Sequence, residues 1–164
     1  MTVPTSVESY LVRQSVRYDV IPHAHTSDSS HTAQAACVPG DELAKSVLLE
    51  DGGGYLMVVI PSTHRVDLGA VRRYFRREVG LATERELKGL FGDCEPGAVP
   101  PLGQAFGIET IVDESLFDRG DVYFESGDHC DVVHVTGRDF QRLMADAPRG
   151  RFSHRIRTSV AELQ

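Results

Sequence analysis

Three places in this chain set residues that can do chemistry into surroundings that make them unusual. The first is Lys45, inside Leu43-Ala44-Lys45-Ser46-Val47-Leu48-Leu49, a run otherwise suited to burial. A lysine ammonium in a low-dielectric setting is costly unless it is paired or used. Two readings stand side by side: an edge-strand lysine whose head reaches water, or a lysine aimed into a pocket to bind a phosphate or a carbonyl oxygen. The second place is Gly97-Ala98-Val99-Pro100-Pro101-Leu102-Gly103. Glycine lets the backbone approach a ligand closely, while proline fixes the loop's path and removes competing donors. The N–H groups of Gly97, Ala98, Val99, Leu102 and Gly103 are candidates to hold a developing oxyanion, against the commoner use of such residues in a tight connection. The third is Ser126-Gly127-Asp128-His129-Cys130, a turn between two strands. His129 could act there as base, hydrogen-bond donor or specificity residue, although a turn histidine is more often simply solvated.

His23, His25, His31 and His64 raise a metal alternative. The spacing His23-x-His25 suits adjacent zinc ligands, but no H-E-x-x-H helix accompanies it, and no metal or other cofactor is expected. The chain contains no G-x-S-x-G elbow, no G-x-x-x-x-G-K-[ST] loop and no G-x-G-x-x-G turn. A serine hydrolase, a P-loop nucleotidase and a dinucleotide enzyme are each disfavoured.

The elements that must position these residues belong to one compact domain, since 164 residues leave little room for a second core. Hydrophobic residues make up 41% and charged residues 25%, a balance that argues against disorder. The longest apolar stretch, Tyr55 to Pro61, is far too short to span a bilayer, and Met1-Thr2-Val3-Pro4 shows no secretory signal. Three cysteines, Cys37, Cys94 and Cys130, form no C-x-x-C pair, which fits a reducing cytoplasm better than a disulfide framework. The net charge of −7 excludes nonspecific gripping of duplex DNA over the whole surface, but not a short single-stranded end held by one local basic patch. Two such patches are Arg72, Arg73, Arg76 and Arg77, at helical spacing, and Arg149, Arg151, Arg155 and Arg157 in the tail. A solvated helix and a loose tail are the default readings of each.

The pattern predicts a helix from Thr5 or Ser6, as cap, through about Gln14, and a strand over Arg17 to Pro22. A loop over His23 to His31 leads into a small helix over Thr32 to Cys37. Ala44–Leu49 and Tyr55–Ile60 read as a hairpin across Glu50-Asp51-Gly52-Gly53-Gly54. Asp67 caps a helix through about Glu78, and Thr83 another through about Phe91. A structured loop over Gly92 to Gly103 includes three prolines, Pro96, Pro100 and Pro101. Short strands follow at Glu109–Val112, Val122–Glu125 and Val132–Val135, then a helix from Gly137-Arg138-Asp139 through about Ala145. The expected domain covers residues 1–150, with 151–164 a basic, poorly patterned tail, and the fold class is α/β or α+β around one sheet.

In this order the pieces resemble the YbaK/prolyl-tRNA-synthetase-associated domain family. The match runs from the His23 region through Thr32-Ala33 with Ala36, Lys45 in its apolar strand, and Asp67 after Val58-Val59-Ile60-Pro61. It continues through the loop Gly97 to Gly103, Val112-Asp113-Glu114-Ser115-Leu116, Gly127-x-His129 and the helix near Asp139, covering roughly residues 17 to 146. The resemblance implies a curved, partly barrel-like mixed sheet with helices around it. It implies hydrolysis, without a metal, of the ester joining a mismatched small amino acid to a tRNA 3′ end, and it allows an aminoacyl-tRNA synthetase as a further partner. Carried over by position, the site would comprise Lys45, Gly97, Pro100, Gly103 and His129, with Ala98, Val99 and Leu102 walling the pocket. Cys94-Glu95-Pro96 has no assigned place in the pattern. The alternative from another class is a non-catalytic module of the same fold that holds a tRNA end, a nucleotide or a synthetase.

Overall fold

The computed structural model describes residues 4–95 and 97–156. Pro96 and Arg157 therefore lie outside the described residues. Helix α1 spans Thr5–Arg13 and buries Val7 and Leu11. The position before it is Pro4, with no side-chain cap, so neither Thr5 nor Ser6 caps it as the sequence suggests. Strand β1 (Asp19–Pro22) leads to α2 (Ser29–Ala35), which starts three residues earlier than its alanine run predicts. The reason is Asp28, whose carboxylate accepts from the His31 N–H at 2.9 Å and satisfies a first-turn donor.

Strands β2 (Leu43–Glu50) and β3 (Tyr55–Pro61) form the expected hairpin, with Lys45 paired to Ile60. A short β4 (His64–Val66) follows, then α3 (Leu68–Phe75), capped by Asp67 through the Ala70 N–H at 3.0 Å. Helix α3 ends before Glu78 because Arg76 adopts a left-handed φ of 54°. After β5 (Gly80–Leu81) comes α4 (Glu84–Leu90), closed by a capping box between Thr83 and Glu86. Strands β6 (Glu109–Asp113), β7 (Asp121–Glu125) and β8 (Asp131–Thr136) precede α5 (Gly137–Leu143).

The end of the expected domain adds β9 (Arg149–Gly150), and the segment read as an unpatterned tail adds β10 (Ser153–Arg155). Asp113, 2% exposed, anchors it: its Oδ2 accepts from the Phe152 N–H at 3.0 Å and the Ser153 hydroxyl at 2.6 Å.

The fold is mixed α+β. One large sheet runs β1-β8-β7-β2-β3-β6-β9, with β5 added beside β2; β4 and β10 form a separate two-stranded ribbon. The pairing path ends at β1 and β9 and does not close on itself among the described residues. Side chains on β2 alternate between its two faces. Ala44 and Leu48 join the main core with Phe124, Val133 and Phe140, while Leu43 packs with Ala33 and Val132 beneath α2. Leu49 joins a third cluster with Ile60, Val71 and Phe152. No helix among the described residues is long and apolar enough to cross a membrane.

Candidate functional site

Strands β2 and β7 run parallel where Leu43 pairs with Tyr123 and Ala44 with Phe124. One position further along each strand stand Lys45 and Glu125, both on the face that α2 covers. Glu125 is 2% exposed, and its Oε2 accepts from the Thr32 hydroxyl of α2 at 3.2 Å. The same Oε2 lies 2.7 Å from Nδ1 of His129, which is equally buried. Oε1 of Glu125 has no hydrogen-bond partner among the described residues. Glu125 and His129 thus form a buried carboxylate–imidazole pair.

His129 holds a left-handed φ of 58° in its turn, an uncommon conformation for a residue with a side chain. Asp128 secures the turn, its Oδ1 accepting from the N–H groups of Cys130 at 2.9 Å and Asp131 at 3.1 Å. The preceding loop is stitched to it, as the His23 N–H donates to the Cys130 carbonyl at 2.8 Å and the Thr26 N–H to that of His129 at 3.2 Å. Thr26 and Thr32 share a 2.5 Å hydroxyl contact. The His25 ring meets that of His129 edge-on at 6.0 Å and lies 2.9 Å from Glu95. The histidine-rich loop thus serves this turn. Among the described residues no three His, Cys, Asp or Glu side chains converge as metal ligands.

Lys45 is half-buried, and its Nζ donates to the Ser62 carbonyl at 3.4 Å. Burial, and then the charge of Arg65, hold its pKa below the ordinary lysine value, with Asp28 acting in the opposite direction. The ammonium is thus only weakly satisfied by the protein.

Gly97 takes φ +80°, and a Cβ added there would sit 3.6 Å from both Cε1 and Nε2 of His129. The loop's first glycine therefore lies against the edge of the imidazole that faces away from Glu125. The Ala98 N–H is already given to the Glu95 carbonyl at 3.0 Å, whereas those of Gly97 and Val99 have no partner among the described residues. The Val99 carbonyl accepts from the Ser46 hydroxyl at 2.8 Å, tying the loop to β2. Gly97, Val99 and Ser46 border an apolar cavity of ≈ 210 Å³, which reaches Met57 and Phe91. A second cavity, ≈ 510 Å³ between β1, β8 and α5, is bordered by none of these residues.

The sequence-derived residues thus separate into two groups. Gly97 and His129 come together beside Glu125, and Lys45 stands on the adjacent strand of the same face, its ammonium turned to the Ser62 carbonyl. Pro100 and Gly103 are buried, and a Cβ on Gly103 would run into the Thr110 side chain and the Ile108 carbonyl. Its glycine is required by close packing against β6. Of the expected pocket walls, Ala98 and Leu102 are fully buried in the interior and Val99 borders the cavity. Sequence reasoning missed Glu125, although an ionisable residue ending the apolar strand Val122–Glu125, four residues before a turn histidine, was a usable signal.

The sequence profile of the aminoacyl-tRNA editing domain matches residues 23–143, an interval that contains every residue of this cluster. A proline–tRNA ligase of Staphylococcus saprophyticus is 29% identical over 119 residues, 68% of this chain but 20% of the ligase. That of Staphylococcus aureus strain Newman is 30% identical over 106 residues, 62% of this chain and 18% of the ligase. The chain thus spans about a fifth of the length of these curated relatives. Among solved structures, the hypothetical protein APE2540 superposes with a TM-score of 0.80 at 24% identity, covering 91% of this chain and 99% of that one. A protein described as a proposed trans-editing enzyme for prolyl-tRNA synthetase gives 0.77 at 21% identity, covering 93% and 99%. These two likenesses concern the fold, and the profile match carries the classification: the chain belongs to the aminoacyl-tRNA editing domain family.

Proposed function

We propose that this chain is a trans-editing hydrolase that cleaves the ester of a mischarged aminoacyl-tRNA carrying a small amino acid. The observation that carries the reading is the buried pair of Glu125 and His129 against Gly97, within the family-matched segment and with Lys45 on the same face of the adjacent strand. An aminoacyl ester is already activated, so the protein's task is to position water and stabilise the oxyanion formed when water adds to the carbonyl. Lys45, weakly satisfied and positively charged, receives the carbonyl oxygen or a phosphate of the terminal nucleotide. The N–H groups of Gly97 and Val99, without a partner among the described residues, are further oxyanion donors. His129, paired with Glu125, sets its ring beside Gly97, where it orients the water or the amino-acid moiety. Collapse of the adduct breaks the ester C–O bond and returns the free amino acid and the tRNA 3′-terminal hydroxyl. A synthetase active site distinguishes one methylene by only ~1–3 kcal/mol, which is why small amino acids call for such a second hydrolytic site.

The test is a deacylation panel of mischarged tRNAs with purified protein and no added metal. Release of at least one small amino acid is expected. Binding of tRNA without turnover across the whole panel would replace this reading with the non-catalytic module, and loss of turnover in chelator would replace it with metal chemistry.

A further inference from the structure

A chain of net charge −7 that takes a tRNA end at Lys45 must meet its phosphates through a local patch. Two arginine-bearing regions compete for that role. On α3, Arg72 donates to the Val79 carbonyl at 3.0 and 3.2 Å and lies 3.6 Å from Glu78. Just beyond that helix, Arg77 lies 3.1 Å from Asp51 and 3.4 Å from Glu109, and its guanidinium packs on the Phe75 ring. These two arginines fasten the end of α3 to its neighbours, and much of their charge is already answered.

The β4–β10 ribbon differs. Lys45 Nζ donates to the Ser62 carbonyl, and the Ser62 N–H to that of Leu43 at 2.7 Å, which fixes the approach to β4 beside the site. In the ribbon Arg65 stands directly opposite His154, and both are exposed. Val66, on the other face, packs into the cluster of Val71 and Phe152. Arg65 makes no ion pair among the described residues. At the same corner Asp41 accepts from Thr63, holds Arg155 at 3.0 Å and lies 3.7 Å from Arg119. Asp41 thus answers Arg119 and Arg155, while Arg65 and His154 share the ribbon's exposed face. Strand β10 lies beyond the family-matched residues 23–143, so the ribbon is completed by a segment the family pattern does not include.

We propose that the β4–β10 ribbon, through Arg65 and His154, grips the phosphates of the tRNA 3′ strand as it enters the site at Lys45. The inference rests on the editing reading above and assigns its nucleic-acid surface. An arginine fork matches a phosphate with two parallel hydrogen bonds, and the imidazole opposite supplies a further N–H donor. Arg73 and Arg76 make no ion pair among the described residues either, so what favours this surface over α3 is the place of Arg65, three residues after the Ser62 whose carbonyl takes Lys45.

The test titrates uncharged tRNA into the full chain by fluorescence anisotropy across a salt series. One phosphate contact on a single strand contributes about 0.7 to the slope of log affinity against log salt. Arg65→Ala should weaken binding about three- to tenfold and lower that slope by about 0.7, while Arg73→Ala on α3 leaves both unchanged. Unchanged binding in Arg65→Ala, or an equal loss in Arg73→Ala, overturns the proposal. A kinetic arm uses a mischarged tRNA beside a short aminoacyl-adenosine ester that lacks those phosphates. Arg65→Ala should raise KM for the tRNA with kcat unchanged and leave the short ester unaffected; equal loss on both overturns the ribbon. If the wild-type protein deacylates nothing while binding responds as expected, the editing reading falls and the ribbon stands as a tRNA-binding surface.

Discussion

Where β2 runs beside β7, adjacent residues do opposite work. Ala44 and Phe124 pair in register and are both 0% exposed within the main core. Lys45 and Glu125, one step on, turn to the other face, where Glu125 meets His129 and Thr32 of α2. Alternation along a strand thus lets the same few residues be scaffold on one side and site on the other. The difference teaches where each kind of damage should appear. Truncation on the core face should cost stability, and truncation on the α2 face should cost turnover.

The largest effect is expected from Phe124→Ala. Removing a fully buried phenylalanine side chain costs about 3–5 kcal/mol through lost transfer energy and a residual cavity. The thermal midpoint should fall by on the order of 10 °C, while the fraction that remains folded should deacylate at close to the wild-type rate. A midpoint that hardly moves would break the comparison on its structural side.

Next comes Lys45→Ala, which should act in the opposite sense. Loss of a charge-assisted contact to a phosphate or carbonyl costs about 1.5–3 kcal/mol in the transition state, a ten- to hundredfold fall in kcat/KM at ~1.4 kcal/mol per tenfold. The midpoint should stay where it is or rise slightly. Paired measurement of rate and midpoint decides the matter, since an unchanged rate would return Lys45 to the edge-strand reading.

Gly97→Val sharpens the boundary between the two kinds of effect. At φ +80° a side chain carries a backbone cost of about 1–2 kcal/mol, so this variant should lose some stability as well as activity. Its methyl groups would enter the space beside the His129 ring, and turnover should fall by more than the midpoint shift explains. Full turnover in the folded variant would remove Gly97 from the site.

How much of this was legible in the sequence follows from how local each signal is. The caps at Asp67 and Thr83 were readable because the capping residue and its N–H partner are three positions apart. The β2–β3 hairpin was readable from two apolar runs and the glycines between them. The start of α2 was misplaced because its alanines drew attention away from Asp28, the residue that caps it. Gly103 carried the same glycine signal as Gly97, yet only the pairing of β3 with β6 shows that Thr110 needs its empty position. The role of the tail was hidden for the same reason: Asp113 binds Phe152 and Ser153 some forty positions away. Glu125 was overlooked although His129 stands only four positions on, because its other partner, Thr32, lies in a distant segment. Local capping and alternation were legible, whereas contacts made only by the folded chain were not.

The smallest predicted effect concerns pH and tests whether the polar face is truly desolvated. Burial, with the Arg65 charge second, holds the Lys45 pKa below its ordinary 10.5, and Asp28 offsets part of this. A base whose pKa falls on folding binds fewer protons folded than unfolded in the window between the two values, so stability rises with pH across that window. Below the folded pKa both states carry the ammonium, and the penalty for burying it is fully present. Above 10.5 both states are neutral and the penalty is gone. Lys45→Met keeps much of the apolar stem without the charge, so it should be more stable than wild type at pH 7. The margin should be below about 1 kcal/mol, because a half-buried ammonium is partly screened by water. That margin should shrink as pH rises toward 10.5, read as the difference between urea midpoints of the two proteins at matched pH. A difference that stays constant would mean that the ammonium is not desolvated, and Lys45 would then be an ordinary surface lysine on a face that only looks like a site.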